Sequence, residues 1–348
     1  MPTSATRCRN ASAKLTVPAP RQTSRMIIAI PDDYHGLVPQ LDCYRKLEPH
    51  EVRTLRDAAP PFERLLEALR DADAIIPIRE RTVFDRALLE ALPRLKLISQ
   101  TGRSCHHIDL KTCTERGIAV VAGTHASPHT VAEHTWALIL AALRRIPEET
   151  TLMRQGRWRG RFSLGLHGRT FGVYGLGTIG SLVAATARSF GMRVLVLGQE
   201  KSQARARAAG YEVARDRAQL FEASDVLSLH VRLSAATCGI VTGDDLARMK
   251  PTALLVNTAR AELVAPGALA AALRSGRPGY AAVDVYEEEP VMNGDHPLLA
   301  LDNALCTPHS AWLERSTYEL YFGEAIDNLL AWAQRRPVKL LNPEVAQN

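Results

Sequence analysis

Three side chains that could support proton transfer to a carbonyl compound follow separate apolar runs of this 348-residue sequence. They are Arg260 after Ala253–Asn257, Glu289 after Ala281–Val285 and His309 after Leu305-Cys306. An arginine offers a planar fork for a carboxylate, and a histidine gives and takes a proton near neutral pH. A carboxylate beside an imidazole favours its protonated form. Together the three could hold a 2-keto acid and protonate the alkoxide that forms when a hydride reaches the keto carbon.

Taken singly, each of the three residues has a simpler interpretation. An arginine after a strand is usually a surface charge, a run such as Glu287-Glu288-Glu289 is typical of a solvated loop, and a lone histidine usually belongs to a loop or a core. The chemical interpretation gains weight because open parallel sheets bind their ligands at the carboxyl ends of the strands. It also gains weight from a nucleotide-binding motif that precedes the three residues.

That motif is a glycine-rich loop between a predicted strand, Phe171 to Tyr174, and a predicted helix, Thr178 to Phe190. It reads Gly175-Leu176-Gly177-Thr178-Ile179-Gly180. Glycines of this spacing allow a tight turn and let a pyrophosphate approach the backbone at the N-terminus of a helix. A further strand, Arg193 to Leu197, completes a βαβ unit, which makes a dinucleotide the favoured ligand and an unliganded glycine turn the alternative.

The sequence leaves the choice between NAD and NADP open, with NAD slightly favoured. Gly198-Gln199-Glu200-Lys201 follows the second strand, so the acidic residue that holds the ribose hydroxyls is displaced from its usual place. Glu200 could hold the ribose, whereas Lys201 or Arg205 could contact a 2′-phosphate. Glu200 and Lys201 could also be solvated loop charges.

Strands and helices alternate along the chain from Met26, which predicts an α/β fold with parallel sheets and helices on both faces. A first block runs from the strand at Met26–Ile30 to the strand at Ile118–Ala122. A buried helix follows, with Pro128 in its first turn, and we expect the Ser127 side chain to accept hydrogen bonds from the first free amides. A second α/β block then leads to a long helix over Leu313–Arg335.

Composition argues against several classes of protein. The formal net charge is +6, but residues 1–25 hold five basic and no acidic side chains, so the remainder is nearly neutral and nucleic-acid binding is not expected. No apolar run reaches the ~18 residues that a membrane span needs. The six cysteines form no CxxC pair, which favours reduced thiols, a cytoplasmic location and no metal site. We interpret residues 1–25 as a disordered extension, with a transit peptide as the alternative.

Four motifs in this sequence resemble those of the NAD(P)-dependent D-2-hydroxyacid dehydrogenases, and the resemblance spans residues 26–340. They are Gly175–Gly180, Leu255–Arg260, Ala282–Pro290 and Thr307-Pro308-His309. The resemblance implies two Rossmann-like or flavodoxin-like domains. The substrate domain comprises residues 26–122 and 313–348, and an NAD(P)-binding domain over 123–312 is inserted into it. It also implies an oxidoreductase of the CH-OH group, phosphoglycerate dehydrogenase-like but without a regulatory domain, and a homodimer formed through the nucleotide domain.

The resemblance also assigns roles to individual residues. Arg260 binds substrate, Glu289 orients the histidine, His309 is the acid/base, and Asp284 contacts the nicotinamide carboxamide. The full cofactor-binding set that we predict is Gly175, Leu176, Gly177, Thr178, Ile179, Gly180, Glu200, His230, Asn257, Thr258, Ala259 and Asp284. The predicted substrate-binding set is Arg79, Gly102, Ser104 and Cys105.

The identity of the substrate stays open at this stage. The segment Ile78–Thr82 is similar to one that contacts substrate phosphate in phosphoglycerate dehydrogenases. Arg79 and Arg81 could bind phosphate, but Glu80 would repel it, and the three could instead pair as loop charges. The Ser104-Cys105 loop and Trp312 depart from the family pattern and could narrow the pocket. Glyoxylate, hydroxypyruvate, phosphohydroxypyruvate and bulkier keto acids are therefore all candidates, each a small molecule.

Two further hypotheses compete with the enzyme. One is a non-catalytic, NAD(H)-binding interaction or regulatory protein of the same fold, and the other is an inactive homologue whose pocket is blocked. The presence of Arg260, Glu289 and His309 together favours the enzyme.

Overall fold

The protein is described here by a computed structural model, which covers residues 25–124, 127–158, 160, 162–336 and 338–347. Apart from Arg25, the extension predicted for residues 1–25 lies outside the described residues. Within these ranges the chain forms two parallel sheets with helices packed against them, so the predicted α/β fold is confirmed.

The first sheet has five parallel strands in the order β2-β1-β3-β4-β5. The strands are β1 (Ile27–Ile30), β2 (Glu51–Thr54), β3 (Ala74–Ile75), β4 (Leu97–Gln100) and β5 (Ala119–Ala122). Their apolar runs are buried because helices cover both faces of the sheet. The order reverses between β1 and β3, which is the flavodoxin-like arrangement.

The second sheet has seven parallel strands in the order β12-β11-β10-β9-β6-β7-β8. The strands are β6 (Thr170–Tyr174), β7 (Arg193–Leu197), β8 (Glu212–Val213), β9 (Val226–Leu229), β10 (Leu254–Asn257), β11 (Tyr280–Val283) and β12 (Ala304–Cys306). This is the Rossmann order with an added strand, and its switch point lies between β6 and β9.

The helices cover these sheets and connect them. They are α1 (Phe62–Leu69), α2 (Arg86–Glu90), α3 (Leu110–Glu115), α4 (Pro128–Leu143), α5 (Ile146–Arg154), α6 (Thr178–Ser189), α7 (Glu200–Ala208), α8 (Arg217–Ala223), α9 (Gly243–Ala247), α10 (Ala268–Ser275) and α11 (Arg315–Ala333). None of them, within the described ranges, is long and apolar enough to cross a membrane.

The C-terminal part of the chain returns to the first sheet. Tyr318, Phe322 and Leu329 of α11 are buried in the same apolar cluster as β1 and β5 residues. Beyond α11, Leu340 forms an antiparallel bridge with Val121 of β5. The second sheet is therefore inserted, in sequence, between two parts of the chain that build the first sheet.

Helix α4 joins the two halves and differs from its sequence prediction in one detail. It begins after Ser127, as expected, with Pro128 in the first turn. The Ser127 side chain does not cap the helix, however, because its hydroxyl lies 2.8 Å from the Thr130 hydroxyl instead. The predicted cap was therefore wrong. The Ser127 amide donates to the Tyr321 hydroxyl of α11 at 3.2 Å, which ties α4 to the first sheet's side of the molecule.

Candidate active site

A cavity of about 230 Å³ lies where the carboxyl ends of strands from both sheets face each other. The first half contributes Arg79, Glu80 and Arg81, and the second contributes Arg260 and His309. Seven described non-glycine residues have a positive φ, and four of them line this cavity: Asp32, Ala59, Arg79 and His309. Left-handed backbone is strained for such residues and concentrates at functional sites, so the cavity is the candidate active site.

The imidazole of His309 is paired with a carboxylate inside this cavity. Its Nδ1 lies 2.5 Å from Oε2 of Glu289, and both side chains are about two-thirds buried. The other oxygen of Glu289, Oε1, accepts a hydrogen bond from the Tyr286 amide at 2.9 Å, which fixes the carboxylate. This pairing engages Nδ1 and leaves Nε2 for exchange of a proton with a substrate.

The backbone around His309 is held by the buried carboxylate of Asp284 at the end of β11. Its oxygens accept from the Thr307 hydroxyl at 2.6 Å and from the amides of Ser310 and Ala311, each at 2.9 Å. Burial would raise the pKa of Asp284, but these hydrogen bonds and one from His134 outweigh it and lower the pKa. Asp284 therefore stays ionised and clamps the loop on both sides of His309.

Arg260 follows β10 on a loop that Asn257 shapes. The Asn257 side chain donates to the Arg260 carbonyl at 2.8 Å and accepts from the Ala259 amide at 3.0 Å. The guanidinium itself donates to the Ala259 carbonyl at 2.7 Å, and another of its nitrogens lies 4.0 Å from Glu80 Oε1. The guanidinium is a third exposed and faces the cavity beside His309.

Two neighbouring residues of α4 contact the loops that carry Arg260 and His309. Nε2 of His134 lies 3.1 Å from the Thr307 hydroxyl, and the Thr135 hydroxyl lies 2.8 Å from the Thr258 hydroxyl. Thr307 and Thr258 each precede a predicted catalytic residue by two positions. Neither residue was predicted from the sequence, although adjacent polar side chains on a largely apolar helix were a usable signal.

Of the predicted substrate-binding residues, Arg79 lines the cavity. Its guanidinium lies 5.4 Å from the centre of the Trp312 ring, and its amide donates to the Thr101 hydroxyl at 2.9 Å. Gly102 is close by, because a Cβ built there would lie 3.4 Å from Nη1 of Arg79. Trp312 is itself buried and stacked on Tyr318, so it forms part of the wall.

The loop residues Ser104 and Cys105 lie beside the cavity rather than among its lining residues. The Ser104 hydroxyl lies 2.8 Å from Nδ1 of His106, which does line the cavity. The Cys105 side chain packs on the apolar cluster of the first sheet. Burial raises the pKa of its thiol to about 11, so the thiol is protonated near neutral pH.

The glycine-rich loop sits at the switch point of the second sheet. Gly175 has a φ of +96°, and a Cβ there would lie 2.7 Å from the His230 carbonyl oxygen. A Cβ on Gly180 would lie 2.3 Å from the Gly175 carbonyl oxygen, whereas nothing lies within 4 Å of one on Gly177. Side chains are thus excluded where β6 meets α6, and the open side at Gly177 fits a pyrophosphate at the α6 N-terminus.

The surroundings of this loop hold the other predicted cofactor residues. Arg205 of α7 donates to the Leu176 carbonyl at 2.9 Å, and the Leu176 amide donates to the Ser202 hydroxyl. Glu200 is exposed in the first turn of α7. Burial lowers the pKa of His230 to about 4, so its imidazole is neutral at physiological pH. An acidic side chain, Glu200, and a basic one, Arg205, therefore both lie on the helix beside the glycine-rich loop.

Comparisons with known proteins agree with this geometry. The family model described as D-isomer specific 2-hydroxyacid dehydrogenase, NAD binding domain, matches residues 136–311. A glyoxylate reductase of Aeropyrum pernix is 38% identical over 299 residues, covering 83% of this chain and 88% of the relative. A D-3-phosphoglycerate dehydrogenase of Methanocaldococcus jannaschii is 41% identical over 249 residues, which cover 71% of this chain but 47% of that relative.

A solved structure extends the similarity to the whole fold. The phosphoglycerate oxidoreductase of Vibrio cholerae O395 superposes with a TM-score of 0.86 at 44% identity, covering 89% of this chain and 99% of that one. Fold, loop and comparisons thus define an oxidoreductase of the CH-OH group that uses NAD or NADP. The chain belongs to the D-isomer specific 2-hydroxyacid dehydrogenase family.

Proposed function

We propose that the cavity catalyses reversible hydride transfer between the nicotinamide and a small 2-keto or 2-hydroxy acid of the glyoxylate, hydroxypyruvate or phosphoglycerate type. The observation that carries the proposal is the 2.5 Å contact of His309 Nδ1 with Glu289 in the cavity that Arg260 also lines. NAD(P)H supplies the hydride when it is bound.

Each of the three residues has a defined task in the proposed reaction. Arg260 binds the substrate carboxylate through its planar fork and polarises the keto group. His309 donates the proton on Nε2 to the alkoxide oxygen and takes it back in the reverse direction. Glu289 holds the imidazole and stabilises its positive charge in the protonated state.

The remaining predicted residues support the two ligands. We assign Gly175–Gly180 to the pyrophosphate, and we assign His230, Asn257, Thr258 and Ala259 to the cofactor side of the cavity. Asp284 was predicted to contact the carboxamide, and its contacts with Thr307, Ser310 and Ala311 support a second role in positioning His309. On the substrate side, we assign Arg79, which lines the cavity, together with Gly102, Ser104 and Cys105 on the loop beside it.

The experiment that tests the proposal replaces His309 with alanine. Turnover of a 2-keto acid should fall by about 10² to 10⁴-fold, the usual contribution of a general acid, while NADH binding stays intact. The control is His167→Ala, because His167 is exposed and is not among the described residues that line the cavity. Equal turnover of wild type and His309→Ala, measured by NADH oxidation against a panel of 2-keto acids, would refute the assignment.

Several wider features belong to the same proposal. We assign residues 26–122 and 313–348 to a substrate domain and residues 123–312 to the nucleotide domain. We favour NAD, with Glu200 at the ribose and Lys201 or Arg205 as the competing contacts to a 2′-phosphate. The ratio of kcat/KM for NADH and NADPH decides between them. A cytoplasmic location stays a prediction that cell fractionation tests.

A further inference from the structure

Glu80 places a carboxylate inside the candidate substrate cavity, between two arginines. Its Oε2 lies 3.6 Å from Nε of Arg79, and its Oε1 lies 4.0 Å from Arg260. The side chain is 17% exposed, so it is not a solvated surface charge. Burial raises the pKa of Glu80, but Arg79, Arg260 and Ser104 outweigh burial and leave the pKa below its usual value. The carboxylate is therefore negatively charged near neutral pH.

The charge balance of the cavity is not that of a phosphate site. Among the described residues, five carboxyl side chains line it against three guanidinium groups. Arg81 is already engaged, because it donates to the Asp32 carbonyl at 2.9 Å and lies 4.0 Å from the centre of the Tyr34 ring. Arg79 is shared between Glu80 and the Trp312 ring. Little positive charge is left over for a second anionic group on a substrate.

We propose, building on the function proposed above, that Glu80 determines the substrate class: 2-keto acids with one negative charge and a hydroxyl group near the keto carbon. The substrate carboxylate pairs with Arg260, and the hydroxyl donates a hydrogen bond to Glu80. A phosphate monoester brings about 1.5 to 2 additional negative charges and no strong donor. Placing it against Glu80 juxtaposes like charges in a partly buried site, which selects against phosphorylated and dicarboxylic substrates.

The experiment compares hydroxypyruvate with phosphohydroxypyruvate, which differ by the phosphate alone. For wild type, kcat/KM should be higher with hydroxypyruvate. In Glu80→Gln the ratio of the two kcat/KM values should fall by about tenfold or more, because the amide keeps the shape but removes the repulsion. Glu80→Asp retains the charge and should retain the preference. Glu115→Gln is the matched control, since it removes a carboxylate paired with Arg86 outside the cavity and should leave the ratio unchanged.

The outcomes separate this inference from the proposed function. Preference of wild type for phosphohydroxypyruvate, or a ratio that Glu80→Gln does not change, would overturn the role of Glu80 while leaving the dehydrogenase assignment in place. If no keto acid is reduced, the proposed function fails. The role of Glu80 can then still be tested by calorimetry, which measures the binding of D-glycerate and of 3-phosphoglycerate to the NADH-loaded protein. Tighter binding of glycerate would support the role of Glu80, and tighter binding of phosphoglycerate would overturn it.

Discussion

Arg260 is held by contacts that leave the far edge of its guanidinium facing the cavity. One nitrogen is used by the Ala259 carbonyl, and the loop is fixed by Asn257. In Arg260→Lys a single ammonium replaces the fork, so we expect kcat/KM for the keto acid to fall by about tenfold to a hundredfold, mainly through KM. Steady-state kinetics measure the effect. Arg248→Lys, in a surface ion pair with Glu222, is the control, and an unchanged KM in Arg260→Lys would show that Arg260 is misassigned.

Asp284 acts on the reaction through the loop that carries His309. The donors around Asp284 use both of its carboxylate oxygens, whereas the asparagine of Asp284→Asn has only one side-chain oxygen. A buried donor therefore loses its acceptor, and the free energy of unfolding should fall by about 1 to 3 kcal/mol. We also expect kcat to fall about tenfold or more as His309 loses its fixed position. If so, Asp284→Asn should lower kcat by a smaller factor in a His309→Ala background than in wild type.

The variant Asp225→Asn is the control that separates the positioning of His309 from a general loss of stability. Asp225 also accepts a backbone hydrogen bond and pairs with Lys250, but it precedes β9 at the opposite end of the sheet. Its replacement should lower the thermal midpoint without lowering kcat. If Asp225→Asn and Asp284→Asn lowered kcat equally, Asp284 would have no specific role in positioning His309.

At the scale of elements, apolar runs predicted the inner strands of both sheets and the edge strands β5 and β12, but not the other two edge strands, β2 and β8. The strand β2 reads Glu-Val-Arg-Thr and is only half-buried, and β8 is two residues long. Edge strands of this kind carry no apolar run, so periodicity cannot find them. The residues of the candidate site likewise fall into those that the sequence predicts and those that it does not. The catalytic loops were predictable because each follows a strand, whereas the contacts of His134 and Thr135 depend on how α4 packs across the sheet.

The long helix predicted over Leu313–Arg335 is α11, and it starts two residues later than predicted, with a cap that the sequence did not reveal. The helix begins after Glu314, whose carboxylate accepts from the Ser316 and Thr317 amides at 2.8 and 3.0 Å. Hydrogen bonds from the Ser316 and Thr317 hydroxyls and amides lower the pKa of Glu314 to about 2. A folded-state pKa below the unfolded value of 4.5 means that the cap stabilises the protein above about pH 4.5 and loses this effect as pH falls toward 2.

Glu314→Ala should therefore destabilise the protein in a pH-dependent way. Near pH 7 the expected loss is about 0.5 to 2 kcal/mol, the usual value of an N-terminal cap. The difference between variant and wild type should shrink as pH falls below about 4.5. Urea unfolding at neutral and acidic pH measures both values. Asp327→Ala, which removes a carboxylate of the same helix that pairs with the Lys46 side chain instead of with backbone amides, is the comparison. A difference that grows on acidification would contradict the capping role.

At the scale of the whole molecule, the cavity exists because the chain leaves the first sheet and returns to it. Arg79 and Glu80 follow β3, whereas Arg260 and His309 follow β10 and β12. Trp312 lies just before α11, where the chain re-enters the first sheet's apolar cluster, and it forms part of the wall beside Arg79. Substrate and cofactor residues are thus brought together only when both halves are folded, which no local sequence pattern encodes.

The segment that follows α4 carries large apolar side chains on its surface. Ile146 and Met153 are each 54% exposed, Trp158 is 88% exposed, and Phe162 is fully exposed. Large exposed apolar side chains are typical of interaction surfaces, and the homodimer that the family resemblance implies forms through the nucleotide domain, to which this segment is assigned. This surface is therefore the part of the nucleotide domain where a second copy is expected to pack.

Trp158→Asp tests that dimer. A charge in place of this large exposed ring should cost the interface about 2 kcal/mol or more, which raises the dissociation constant at least about thirtyfold. Light scattering over a dilution series should show wild type as a dimer and the variant dissociating at higher concentration. Val83→Asp changes another exposed apolar residue, in the first half of the molecule, and should leave the mass unchanged. A wild type that is monomeric throughout, or a variant that dissociates no more readily than wild type, would place the interface elsewhere or remove it.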